Sequence, residues 1–104
     1  MENGYHIIIT AQALADLEEI TAHIRQTSPE NARRVATRIL NAIDALEFMP
    51  GLYKRASRNR KRGNEVHSRV VKPHIIYYRV EQNRRGVIVL RVIHGARRQP
   101  RSFD

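Results

Sequence analysis

The sequence predicts an α+β domain: one strand, a hairpin of two helices, then a three-stranded antiparallel meander, in the order β-α-α-β-β-β. Three observations predict it. Apolar residues recur at helical spacing within 11–48, two-residue alternation is confined to the region after residue 64, and a Pro–Gly break, "MPGLY" (49–53), separates the two patterns. At 104 residues the chain is expected to form a single domain over 1–104 with one hydrophobic core, closing in a basic tail over 94–104.

Residues 5–9, "YHIII", are short and rich in β-branched side chains and precede a polar capping residue, Thr10, so they are read as a strand. From residue 11 to about 26, Leu14, Leu17, Ile20 and Ile24 recur three or four apart and share one helix stripe, with Asp16, Glu19 and His23 turned away. "TSPEN" then stops and restarts the chain. Ser28 is a good N-cap, Pro29 suits the first helical position, and Glu30 favours the positive end of the helix dipole. The second helix is expected to reach about residue 48 on a stripe of Ala32, Val35, Ala36, Ile39, Ile43 and Leu46. Its alanines permit close approach, and the short connection makes an antiparallel helical hairpin.

Pro50 and Gly51 end the helices, and Lys54, Arg55, Arg58, Arg60, Lys61 and Arg62 follow in what reads as an exposed loop. The remainder reads as strands at about 65–71, 74–80 and 87–93, joined by "KP" and "EQNRRG" turns. Period two places Val66, Ser68 and Val70, Ile76, Tyr78 and Val80, and Ile88, Leu90 and Val92 toward the helices. Arg69, Tyr77, Arg79 and Arg91 then take the far face with Val71, Ile75, Val87, Val89 and Ile93. That is more apolar surface than a free monomer comfortably exposes, so a cover is expected.

The formal net charge of +9 is unevenly placed: residues 1–49 carry four Lys/Arg and seven Asp/Glu (−3), and 50–104 carry fifteen and three (+12). The second half is suited to nucleic acid, an anionic membrane surface or an acidic protein. The absence of cysteine excludes disulfides and thiolate metal sites. The apolar runs fall far short of the roughly 20 residues that span a bilayer, so no membrane partner is expected. "MENGYHIIIT" lacks the pattern of a secretory signal, and a cytoplasmic location is expected. The five histidines, His6, His23, His67, His74 and His94, lack the close pairings of a zinc site, so neither metal nor cofactor is expected.

With these elements in this order, "ALADLEEITAHI" opening the first helix, "SPENARRV" the second, "VVKPHIIYYRV" across a hairpin and "LRVIHGARRQP" at the end, the sequence resembles the RelE/ParE toxin superfamily over nearly its whole length. "HGARR" after the last strand is most similar to the ParE-like branch. The resemblance implies an antiparallel sheet packed on a two-helix hairpin. It also implies a toxin of a bacterial type II toxin–antitoxin module, held in a hetero-oligomer by a small acidic antitoxin, ParD-like in this branch. RelE-like members cut mRNA on the ribosome, whereas ParE-like members are associated with inhibition of DNA gyrase, and fold alone does not choose between the targets.

Metal-free RNA cleavage needs a base for the 2′-hydroxyl, cations for the pentavalent phosphate and an acid for the leaving oxygen. By the resemblance, Arg69 and Arg97 hold phosphate-binding positions, but Phe103 stands where the nuclease pattern has an acidic tyrosine, and a phenyl ring cannot donate a proton. His94 is the alternative acid and Lys54 and Lys61 the alternative bases. In that histidine-using branch, however, an aromatic neighbour stands where this chain has Gly95. His94 also has a plain structural reading, as a neutral imidazole on the helix side that closes the sheet's end.

The reading that follows is a ParE-like toxin acting by binding rather than as an enzyme. Its gyrase or nucleic-acid contacts would come from Lys54, Arg55, Arg58, Arg60, Lys61, Arg62, Arg97, Arg98 and Arg101. Two alternatives stay open: a ribosome-dependent mRNA endonuclease using Arg69, His94 and Arg97, and a non-toxic basic nucleic-acid-binding domain with Tyr77 as a stacking platform. For the antitoxin, the helix pair offers a groove and a strand edge offers pairing.

Overall fold

The computed structural model describes residues 4–48, 50–52, 66–100 and 103. The basic positions Lys54, Arg55, Arg58, Arg60, Lys61, Arg62 and Arg101 lie outside the described residues. The chain runs β1 (His6–Ile9), α1 (Ala11–Arg25), α2 (Pro29–Asp44), 3₁₀ turns at Ala45–Glu47 and Pro50–Leu52, then β2 (Val66–Val71), β3 (His74–Glu81) and β4 (Gly86–His94).

Both helices start on the caps that the sequence offers. The Thr10 side chain accepts from the Ala13 amide at 3.2 Å and donates to the Val89 carbonyl at 2.8 Å, so the cap that begins α1 also fastens it to β4. The Ser28 hydroxyl accepts from the Asn31 amide at 3.1 Å with Pro29 in the first turn of α2.

The sheet order is β1-β4-β3-β2. The meander β2–β3–β4 is antiparallel as expected, whereas β1 pairs parallel with β4, from His6 opposite Gly86 to Ile9 opposite Val89, making the sheet mixed. Between β1 and β4 lie both helices and two strands, so no tight turn imposes an antiparallel direction.

One sheet face packs on the helices. Leu17, Val35, Ile39, Ile43 and Leu46 meet Ile76, Tyr78, Val80, Val87, Val89 and Val92. The facing of β3 is as expected, but the other two strands depart from the simple alternation. Tyr78 lies opposite Val89 and Tyr77 opposite Arg91, so Leu90 is an extra residue in β4. Before this bulge Val87 and Val89 turn to the helices; after it Val92 does, and Ile93 takes the far face. In β2 the expected facing is reversed, because the register sets His67 opposite Tyr78 and Val71 opposite His74. Val71 packs on the helix side and Val66 on the far side. With valines on both faces of β2, composition alone did not reveal which side is inward.

Helix α1 is also rotated from the expected stripe. Leu14 is 51% exposed, and Asp16, expected to face water, is only 9% exposed. Asp16 reaches β4 where β1 has run out. Its carboxylate accepts from Arg91 Nε at 2.8 Å and Nη2 at 3.0 Å and from the Val92 amide at 2.9 Å, satisfying a backbone donor on the open strand edge. Burial alone would raise the carboxyl's proton affinity. The hydrogen bonds from Arg91, Val92 and Gln12, with the Arg91 charge, outweigh it and hold the pKa below its ordinary 3.8.

Asp16→Asn is expected to destabilise the protein by about 2 kcal/mol, the Arg91 share being discounted for its exposure, read as a lower urea midpoint at unchanged m-value. Because the folded carboxyl is depressed, its contribution is fully present above about pH 4 and fades as pH falls through the folded value. The wild type should therefore lose more stability than the variant between about pH 5 and pH 3.

Candidate functional site

Of the predicted functional residues that the structure describes, Arg69 lies apart, and His94, Arg97 and Arg98 lie at the carboxyl end of β4. Gly95 turns the chain there: its amide donates to the Pro73 carbonyl at 2.7 Å, and a Cβ on it would stand 3.2 Å from that same oxygen. The close approach favours glycine and ties the end of β4 to the β2–β3 turn, which contains a cis Lys72–Pro73 peptide. His94 thereby lies opposite His74, the rings edge-on at 5.3 Å.

The two histidines differ. His94 is on the helix side, as its strand parity predicts, but exposed, and its Nδ1 accepts from the Ala96 amide at 3.0 Å, which helps shape the turn. His74 is 4% exposed, and its Nδ1 has no hydrogen-bond partner among the described residues. Burial, reinforced by the charges of His94 and Arg38, pushes its pKa below the ordinary 6.5.

Beyond Gly95 the tail folds back under the sheet. Gln99 donates to the carbonyls of His94 (3.0 Å) and Arg97 (2.6 Å), and its Oε1 accepts from the Tyr77 hydroxyl at 2.6 Å. The Phe103 ring packs on Tyr77 at 4.8 Å between centroids, and the Phe103 carbonyl accepts from Arg79 Nη2 at 2.9 Å. The tail is thus the cover of the far-face cluster of Val66, Tyr77 and Ile93. Tyr77 is buried, and burial pushes its hydroxyl pKa up, so the ring that read as a stacking platform is already occupied.

The arginines expected together on the far face are dispersed. Arg69 Nη1 donates to the Ala42 carbonyl at 2.6 Å near the end of α2, on the helix side, and Arg91 holds Asp16. Arg79 stays on the far face beneath the tail. Arg97 and Arg98 remain exposed, Arg97 approaching Glu19 of α1 at 3.5 Å. His94 and Arg97 line two adjoining cavities of about 400 and 690 Å³, with Arg98 at the smaller one and His74 and Arg38 at the larger. Arg69 lines neither. His74 and Arg38 were not singled out from the sequence. The available signal was register: once β3 and β4 pair, the histidine that opens one strand meets the histidine that closes the other.

Among the described residues no three His or carboxylate side chains are placed to hold a metal ion, and no helix is long and apolar enough to cross a membrane.

The family model described as ParE toxin of type II toxin-antitoxin system, parDE, matches residues 7–99. The chain belongs to the ParE toxin family. "Putative toxin Y4kP" of Sinorhizobium fredii is 36% identical over 91 residues, covering 88% of each chain. Among solved structures, the chromosomal ParDE toxin–antitoxin system from P. aeruginosa superposes with TM-score 0.68 at 20% identity, covering 86% of this chain and 95% of that one. The RelBE2 toxin–antitoxin complex of Mycobacterium tuberculosis gives 0.64 at 22% identity, covering 88% and 98%. The archaeal RelE–RelB complex of Pyrococcus horikoshii gives 0.63 at 17%, covering 91% and 99%. The ParE-family chain therefore shares its fold with both branches of the superfamily.

Gly95→Ala is expected to cost about 1 kcal/mol through the clash with the Pro73 carbonyl and to loosen the tail. Limited trypsin digestion should then cut at Arg97 or Arg98 faster than in wild type. Gly51→Ala, where an added Cβ meets nothing within 4 Å, should leave that rate unchanged.

Proposed function

We propose that this ParE-family toxin acts in the cytoplasm by binding and poisoning DNA gyrase, without bond-breaking chemistry of its own, and that a ParD-like acidic antitoxin neutralises it in a hetero-oligomer. The observation that carries the choice of binding over cleavage is Phe103. At the position where the nuclease branch has its acid, this chain has a phenyl ring, and that ring is packed on Tyr77. Arg69, the expected phosphate ligand, is engaged with the Ala42 carbonyl, which further favours binding. Arg97, Arg98 and Arg101, with the basic residues of 54–62, are the proposed contacts to the target, and the +12 balance of the second half suits an acidic antitoxin.

A second reading, the ribosome-dependent mRNA endonuclease, draws on His94 and Arg97 lining the same cavity. It requires Arg97→Ala to abolish cleavage of ribosome-bound mRNA, because a cation aimed at the transition state is typically worth a few kcal/mol.

The test is gyrase supercoiling of relaxed plasmid. Inhibition with trapped double-strand breaks, relieved by the acidic protein encoded beside the toxin, is expected. Replacing Arg97, Arg98 and Arg101 together by alanine should weaken inhibition about tenfold or more, since exposed charges each contribute up to about 1 kcal/mol. Full inhibition by the triple variant would remove the tail from the contact surface.

A further inference from the structure

The larger cavity carries different chemistry at its two ends. It lies between the second half of α1, the first half of α2 and the paired ends of β3 and β4. Its 690 Å³ falls within the range of about 300–1,000 Å³ usual for small-molecule sites. At the sheet end His74 is 4% exposed, yet its Nδ1 has no partner among the described residues, a costly state for a buried polar atom. Burial, and then the charges of His94 and Arg38, oppose protonation of that ring, and Arg97 joins them from the tail. The acidic side chain beside them, Glu19, is paired with Arg97 at 3.5 Å. Both partners are largely exposed, so the pair is weakly held and the end stays cationic.

The rest of the cavity is apolar and then polar. Ile20 and Ile24, one turn apart on α1, and Val35 of α2 form the middle. Toward the α1–α2 connection, Asn31 supplies an amide and His23 a flat ring. Residues 31 and 38 lie on one face of α2, about 10 Å apart along its axis.

We infer that this cavity binds a nucleoside 5′-monophosphate, with its phosphate on His74, Arg38 and Arg97, its base on Ile20, Ile24 and Val35, and a base edge at Asn31. The donors reach the sheet end from α2, β3 and the tail. A phosphate presents three terminal oxygens to such a set, whereas a planar carboxylate presents two. Inorganic phosphate alone would leave the apolar middle wet, and a base covers it. The two ends lie one nucleotide apart, so a free monophosphate fills the cavity and a longer strand would have to leave it. The inference does not depend on which target the toxin poisons.

The test is NMR titration of the full-length toxin with AMP and with GMP at neutral pH. Saturable binding with Kd below about 1 mM is expected. The His74 ring resonances should be among those that move, and the ring's pKa should rise in the complex, because a dianion reverses the charge balance around it. Adenosine, which lacks the phosphate, and inorganic phosphate, which lacks the base, should each bind at least about tenfold more weakly. Arg38→Gln, on an exposed side chain, should weaken AMP about tenfold. Asn31→Ala should weaken it about threefold while keeping the Ser28 cap, which uses the Asn31 backbone amide. Arg84→Gln, in the exposed turn at the other end of the sheet, should change nothing. No saturation by either nucleotide, an equal loss in Arg84→Gln, or binding that leaves the His74 ring unmoved would overturn the site. A 5′-phosphorylated oligonucleotide that binds where AMP and GMP do not would assign the cations to a strand end and contradict the free nucleotide.

Discussion

The arrangement depends on how β4 hands over its outer edge. For four residues that edge is paired with β1, and at Thr10 the chain leaves to form α1. From there the strand would show unpaired donors to the helix layer. Asp16, a turn and a half into α1, supplies the acceptor: one carboxylate satisfies the Val92 amide and draws Arg91 across the edge. Thr10 and Asp16 together lock the first helix onto the longest strand at two heights. With that lock set, the second half of α1 is held over the end of the sheet, where His94, Gly95 and the tail emerge. A charged group so placed contributes only if all its partners stay in position, so its effect is on geometry as much as on stability.

The second constraint is that both faces of a four-stranded sheet must be covered. The helical hairpin covers one. The other, which carries Tyr77 and Ile93, is covered by the chain's own tail through Gln99 and Phe103. The bulge at Leu90 makes this division possible. It lets β4 present Val87 and Val89 to the helices early on and Ile93 to the tail later, without breaking its pairing to β3.

Most of the fold was legible because its signals are local. Thr10 and Ser28 cap as their side chains predict, Pro50 and Gly51 follow the helical pattern, and three alternating runs gave three strands. The features that escaped the sequence are relational. The parallel pairing of β1, the inward face of β2 and the bulge at Leu90 depend on which residue sits opposite which, and no residue type announces that. Asp16 read as a solvated helix position because its partner lies 75 residues away. The tail read as a free basic arm because its arginines dominate its composition, whereas Gln99 and Phe103 decide its path. His94 was singled out from the sequence, but the buried partner that gives it interest, His74, became visible only through the strand register.

The sheet end brings together an occupied tyrosine, the Phe103 ring packed on it, and exposed arginines beside a cation-rich cavity. The most direct measurement is to express the protein without its antitoxin and, in the same cells, map double-strand DNA breaks and the 5′ ends of messenger RNA. Breaks that depend on gyrase, with transcripts left intact, are expected if it acts by binding. Transcripts cut within their coding regions, with the chromosome unbroken, would contradict that and make His94 and Arg97 parts of a nuclease.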